Sequence, residues 1–161
     1  MRIAVGFDHA GFPLKDEVLR LLSALGHEAE DFGTDSTEPV DYPDFARAVA
    51  VSVASGQSER GIVVCGSGVG ASVAATKVPG VRAALCHDTF SARQGVEDDD
   101  MNVLCLGARV IGPALAADVL RAYLGARFSG AERHVRRLNK VNAIEREARE
   151  GVFDQNRKGE A

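Results

Sequence analysis

Apolar residues follow two rhythms along this chain. RIAVGF (2–7), GIVVC (61–65), RAALC (82–86) and NVLCLG (102–107) are short apolar runs that stop at polar or glycine-rich loops. They read as buried strands. HEAEDFG (27–33) is a weaker, more charged strand. Between the runs, FPLKDEVLRLLSAL (12–25) places Leu14, Val18, Leu21, Leu22 and Leu25 at helical spacing. Pro13 suits its first turn and Gly26 its C-cap. A loop with Pro39 and Pro43 precedes a small-residue helix, DFARAVAVSVASG (44–56). Further helices are predicted at 69–77, from about Asp88, at 113–128, and over the highly charged stretch 132–150. From Phe153 the chain is polar and expected to fray. Strand and helix alternate about five times without an internal repeat or a linker. This predicts an α/β fold: one domain over 1–152 with a five-stranded parallel sheet, helices on both faces and an extended C-terminal helix, followed by a tail at 153–161.

In parallel sheets of this kind, ligands bind outside the carboxyl ends of the strands. The polar signals fall there: Asp8-His9 after the first run, Cys65 to Gly70 after GIVVC, and His87-Asp88 after RAALC. The loop CGSGVG (65–70) carries Gly66, Gly68 and Gly70. Such a loop can bring bare N–H groups to an anion, and a helix starting near Val69 adds its positive end. The spacing is GxGxG rather than GxGxxG, and no Walker pair follows, which argues against a dinucleotide or nucleoside triphosphate. A tight strand-to-helix turn that binds nothing fits the same letters. Cys65 ends a strand beside this loop, where a thiol can act as base or nucleophile. Cys86 and Cys105 sit inside apolar runs and read as small buried hydrophobes. Ser67 adds a hydroxyl donor or simply completes the turn.

Composition narrows the classes. The 161 residues carry a formal charge of −4, against a nucleic-acid binder that relies on a broad basic face. No stretch approaches the ~20 apolar residues of a membrane span, and no signal-peptide pattern opens the chain. A cytoplasmic location is expected. Three cysteines, an odd number, fit reduced thiols better than a disulfide frame. No CxxC or HxxxH spacing occurs, so no metal site is expected.

GFDHAGFPLK, DYPDFA, CGSGVGASVAATKVPGVRAA, MNVLCLGARVIG and ERHVRRL come in this order over nearly the whole chain. Together they resemble the type B ribose-5-phosphate isomerases, a family that includes galactose-6-phosphate and allose-6-phosphate isomerases. The resemblance implies a Rossmann-like fold and a homodimer or homotetramer whose active sites are shared between subunits. It implies a sugar phosphate as the small-molecule partner, and no cofactor. The reaction it implies moves a proton between C1 and C2 of an aldose or ketose phosphate through a cis-enediolate. The family's base is a cysteine just before the glycine loop or a glutamate just after it. Here these positions hold Cys65 and Ala71, so Cys65 is the expected proton carrier. Ser67 and the N–H groups of Gly66, Gly68, Val69 and Gly70 would stabilise the enediolate. Preorganised donors of this kind are worth ~3–4 kcal/mol each. Asp8 would bind sugar hydroxyls. His9, Arg109, Arg133 and Arg137 would hold the phosphate, the last two being four apart on one helix face. His134 would cap or pack.

The sequence departs from the family in GVEDDDMNV. Asp98 aligns with a histidine that donates a proton to open the cyclic sugar, and Asp99 with an asparagine or aspartate. Three readings follow. Asp98 does the acid work, favoured by crowding against Asp99 and Asp100. Alternatively, ring opening is left to solvent. Or the substrate needs no opening, as with erythrose 4-phosphate and erythrulose 4-phosphate, whose phosphorylated O4 cannot close a furanose. Ribose 5-phosphate is the default substrate, with a tetrose 4-phosphate or a hexose 6-phosphate as alternatives. A non-catalytic sugar-phosphate-binding protein and a redox sensor built on Cys65 are the readings from other classes.

Overall fold

Five strands form one parallel sheet: β1 (Arg2–Phe7), β2 (Glu28–Asp31), β3 (Arg60–Cys65), β4 (Ala83–Leu85) and β5 (Val103–Gly107), in the order β2-β1-β3-β5-β4. The structure is a computed structural model and describes residues 1–153. The helices are α1 (Lys15–Ala24), α2 (Tyr42–Ala54), α3 (Val69–Ala75), α4 (Thr89–Asp99), α5 (Pro113–Gly125) and α6 (Glu132–Arg149).

Alternation within each strand builds two cores. Ile3, Val5 and Phe7 of β1, Ile62 and Val64 of β3, and Leu104 and Leu106 of β5 pack beneath α1, α4 and α5. The intervening residues Ala4, Val63, Cys65, Val103 and Cys105 pack beneath α2 and α3. The second face is lined with small residues on the helix side as well: Ala46, Ala50, Ala71 and Ala75 are all fully buried. Small side chains let these helices lie close to the sheet. Burying each larger aliphatic side chain contributes about 1.5–3 kcal/mol. Strands covered on both faces read as continuous apolar runs, which is why β1, β3 and β5 stand out in the sequence.

Several boundaries differ from the sequence expectation, each for a local reason. The helix expected at 12–25 opens as a 3-10 turn over Phe12–Leu14, with Pro13 inside it. The second helix starts at Tyr42 rather than Asp44, because Pro43 lies in its first turn rather than in the preceding loop. Strand β2 is an edge strand of four residues, and β4 has only three. Residues 1–128 form one compact unit. The segment from Ser129 forms a second, built on α6, where Ser129 Oγ lies 2.7 Å from Nδ1 of the buried His134. The expected tail lies outside the described residues from 154 onward.

The chain leaves β1 to form β2 on one side and returns to form β3 on the other. The loops after β1 and β3 therefore diverge and leave a crevice at their carboxyl ends, the place where open α/β sheets bind ligands.

Candidate active site

The crevice holds an open pocket of about 380 Å³. Four segments line it: Asp8 and His9 after β1, Tyr42 at the start of α2, the loop from Cys65 through Ser67 to Gly70, and Arg109 after β5. A second hollow of about 250 Å³, outside α2, is lined by Phe32, Arg47 and Ser52 and offers neither a thiol nor a glycine loop.

Asp8 is buried, and its Oδ1 accepts from the N–H groups of Ala10 (2.9 Å) and Gly11 (2.7 Å). Oδ2 takes no hydrogen bond among the described residues. His9 Nδ1 lies 3.1 Å from the Val40 N–H and 3.2 Å from the Val40 carbonyl. Accepting from the first leaves Nε2–H free to donate, whereas the neutral tautomer that donates from Nδ1 to the second leaves Nε2 an acceptor.

Cys65 is 5% exposed, and its Sγ accepts from the Gly68 N–H at 3.1 Å. Gly68 has φ +81, the left-handed region, and this turn is what brings its N–H back onto the sulfur. Ser67 is exposed, and its Oγ accepts from the Val69 N–H at 3.3 Å. The N–H groups of Gly66, Ser67 and Gly70 have no acceptor among the described residues. Arg109 is exposed, forms no ion pair among the described residues, and runs alongside Gly66. The other two thiols are inert by environment. Burial, with help from the Asp88 charge, pushes Cys86 up to about 11, and burial pushes Cys105 further still.

The structure therefore gathers Asp8, His9, Cys65, Gly66, Ser67, Gly70 and Arg109 into one pocket. It narrows the expected set of loop donors. The Gly68 N–H is committed to Cys65 and that of Val69 to Ser67, and the Val69 side chain is 53% exposed. Asp98 and Asp99 do not line their own chain's pocket. Helix α4 runs antiparallel to the strands, so its last turn returns to the amino ends of β4 and β5, away from the crevice. There Asp98 accepts from Gln94 Nε2 at 2.7 Å, and Asp99 is exposed. Arg133 and Arg137 are exposed on α6 in the second unit, where Arg133 Nε donates to His134 Nε2 at 2.9 Å. Tyr42 was not among the residues expected at the site. Its ring lies so close to Gly70 that a Cβ there would come within 2.7 Å of it. It lies in DYPDFA, one of the stretches that carry the resemblance, but nothing in those letters sets it beside Gly70. Among the described residues, no group of three or more His, Cys, Asp or Glu side chains could hold a metal ion, and no helix is long and apolar enough to cross a membrane.

A family model described as Ribose/Galactose Isomerase matches residues 3–141. The chain belongs to this family. It is similar to ribose-5-phosphate isomerase B of Escherichia coli, at 45% identity over 144 residues, covering 89% of this chain and 96% of the relative. It is also similar to D-erythrulose-4-phosphate isomerase of Pectobacterium atrosepticum, at 42% identity over 131 residues, covering 81% and 86%. Among solved structures, ribose-5-phosphate isomerase B of Clostridium thermocellum superimposes with a TM-score of 0.89 at 48% identity, covering 92% of this chain and 99% of that one. The glycine loop follows the central strand β3. The pocket thus sits on the part of the chain the family model spans.

Proposed function

We propose that this member of the family interconverts an aldose phosphate and a ketose phosphate by cofactor-free proton transfer, with ribose 5-phosphate and ribulose 5-phosphate as the leading pair. The observation that carries the reading is the placement of Cys65 and the open N–H groups of its loop in one pocket with Asp8, His9 and Arg109. As a thiolate, Cys65 takes the proton from the carbon next to the carbonyl, C2 of the aldose or C1 of the ketose, and returns it to the former carbonyl carbon, while the hydroxyl proton passes between O1 and O2. The Gly68 N–H supports the charged sulfur. Negative charge passes to the substrate oxygen in the enediolate. There the Ser67 hydroxyl and the N–H groups of Gly66, Ser67 and Gly70 receive it, fixed in place before the charge develops. Asp8 Oδ2 orients a sugar hydroxyl. His9 Nε2–H and Arg109 hold the phosphate, joined by Arg133 and Arg137 in a homodimer or homotetramer with shared sites. A cytoplasmic location suits such a substrate.

Asp98 supports a second reading. It stands where the resemblance places a ring-opening histidine, and it lies away from its own chain's pocket. It acts as the acid only in a site shared between subunits. If it does not act, a four-carbon phosphate that cannot form a furanose is the better substrate. The similarity to a D-erythrulose-4-phosphate isomerase supports that choice.

Steady-state rates across tetrose 4-, pentose 5- and hexose 6-phosphates rank the substrates. Exchange of the C2 proton in heavy water separates an isomerase from a binding protein or a redox sensor, and Cys65→Ala should abolish it. Full exchange surviving in that variant would refute the base assignment. Ribose 5-phosphate turnover matching any tetrose phosphate and untouched by Asp98→Asn would remove both the tetrose and the acid readings.

A further inference from the structure

Strand β4 ends early. Its last residue, Leu85, pairs with Cys105, and the final backbone bond to β5 runs from the Cys86 N–H to the Cys105 carbonyl at 3.3 Å. Strand β5 continues for two residues beyond that pairing, to Gly107. Ala108 N–H turns toward β3, donating to the Cys65 carbonyl at 2.9 Å. By the alternation of a parallel ladder, the Gly107 N–H turns the other way, toward the missing end of β4. A side chain completes the ladder there: His87 Nε2 accepts from the Gly107 N–H at 2.9 Å. The bond requires a neutral imidazole with its proton on Nδ1. The backbone next to His87 is fixed in turn, because Asp88 N-caps α4 by accepting from the Ser91 N–H at 2.7 Å.

Gly107 is where the parts of the pocket meet. It is the register partner of Cys65. Its Cα lies against the Ser67 backbone, so that a Cβ would stand 2.5 Å from the Ser67 carbonyl oxygen. Its own carbonyl accepts from Val110 (3.0 Å) and Ile111 (3.1 Å), closing the turn that carries Arg109. Arg109 N–H in turn donates to the Gly66 carbonyl at 3.0 Å. We infer that His87 is a positioning residue: its Nε2 anchors Gly107, and through Gly107 it sets the Ser67 loop and the Arg109 turn. His87 does not line the pocket, so it acts only through that bond. The kinetic part of this inference rests on the isomerase reading; the structural part does not.

The test compares His87→Gln, whose amide oxygen can reach the place of Nε2, with His87→Leu, which has similar bulk and no acceptor. The expected result is a kcat lowered about tenfold in the leucine variant, the size of one lost hydrogen bond, with KM changed much less. The glutamine variant should stay within about threefold of the parent. Two readouts need no activity. In the parent protein, 15N spectra should show coupling across the hydrogen bond between the Gly107 amide and His87 Nε2. Alkylation of Cys65 by iodoacetamide should change rate in the leucine variant and return toward the parent rate with glutamine. Absence of the coupling overturns the inference. So does a leucine variant with parental kcat and alkylation, or a glutamine variant as impaired as leucine. A loss that follows a lowered melting midpoint in both variants would make the role merely structural and overturns it too. Should the parent turn over no sugar phosphate, the isomerase reading fails, and the coupling and alkylation results still decide the role of His87.

Discussion

Gly68 meets two demands at one Cα. Its φ of +81 disfavours any side chain, and a Cβ would stand 2.4 Å from Leu85 Cδ1 and 2.9 Å from the Leu106 backbone carbon. The left-handed conformation alone costs alanine about 1–2 kcal/mol, before either contact is relieved. Relief would swing the Gly68 N–H off Cys65. Gly68→Ala should therefore lower the thermal midpoint and reduce isomerisation by ~100-fold or more, the scale of losing preorganised donors. A variant with full activity and a lowered midpoint would separate the turn from the chemistry. A second prediction distinguishes the three thiols. Cys65 lines the pocket, whereas burial holds Cys86 at about 11 and Cys105 higher. Iodoacetamide near neutral pH should modify Cys65 first and inactivate in step, as peptide mass mapping against residual activity would show. Early loss of Cys86 would contradict this. Asp8, His9, Cys65 and Ser67 were legible in the sequence because they end or follow β1 and β3, where the fold class itself places a site, and Arg109 came only with the family resemblance. Tyr42 and the bond from His87 to Gly107 were not legible. Both are tertiary approaches between segments some twenty to thirty residues apart, and no local pattern encodes them.

Strands β1, β3 and β5 could be read almost to the residue, because burial on both faces leaves uninterrupted apolar runs. Strand β2 was weaker because it is an edge strand, with three of its four residues exposed. The end of α4 shows where such legibility stops. Asp98, Asp99 and Asp100 look alike in sequence, yet each has a different place. Asp98 accepts from Gln94, and Asp99 is exposed. Asp100 is the C-cap, with φ 51, and its Oδ2 lies 2.7 Å from Arg82 Nη2. Which acid caps depends on where the helix stops, and it stops at Asp100, where the Met101 N–H turns back to the Gly95 carbonyl. Asparagine tolerates the left-handed region and alanine does not. Asp100→Asn, which loses only a partly exposed ion pair, should cost less than ~1 kcal/mol. Asp100→Ala loses the pair and strains the cap, and should cost about 1–2 kcal/mol. Urea unfolding of the two variants measures the difference, and equal losses would assign the whole effect to the ion pair.

At the scale of the molecule, titrating groups of both signs set a pH window for stability, Lys15, His27 and Asp88 among them. Lys15 is buried, with Nζ 2.8 Å from Asp31 Oδ2 and 2.8 Å from Asp35 Oδ1. Burial alone pulls its pKa down, but the hydrogen bonds and charges of the two aspartates outweigh it and hold it above the ordinary 10.5. The folded state thus binds this proton more tightly. Its contribution is complete below 10.5 and is lost as pH rises through the folded value. His27 has the opposite sign. Burial first, and then the chain's amino group, hold it below 6.5. Its contribution is present above 6.5 and is lost as pH falls through the lowered value. Asp88 is held below 3.8, chiefly by the Ser91 backbone N–H, so its contribution is present above 3.8 and disappears only in stronger acid. With the raised Cys86 and Cys105 thiols adding to the alkaline side, urea midpoints should be level between about pH 7 and pH 9 and should fall on both sides, with the acid limb in two steps. His27→Gln removes a proton acceptor from the folded and unfolded chain alike, so it should erase the first acid step and leave the second. Lys15→Met should lower stability throughout, because it leaves Asp31 beside a buried methionine, while removing only Lys15's share of the alkaline limb and leaving that of buried Cys86, Cys105 and Tyr123. A profile that climbs from pH 6.5 down to pH 5 would require His27 to hold its proton more tightly in the folded state. That would contradict both its burial and its approach to the Met1 amino group, which lies 3.5 Å from Nδ1.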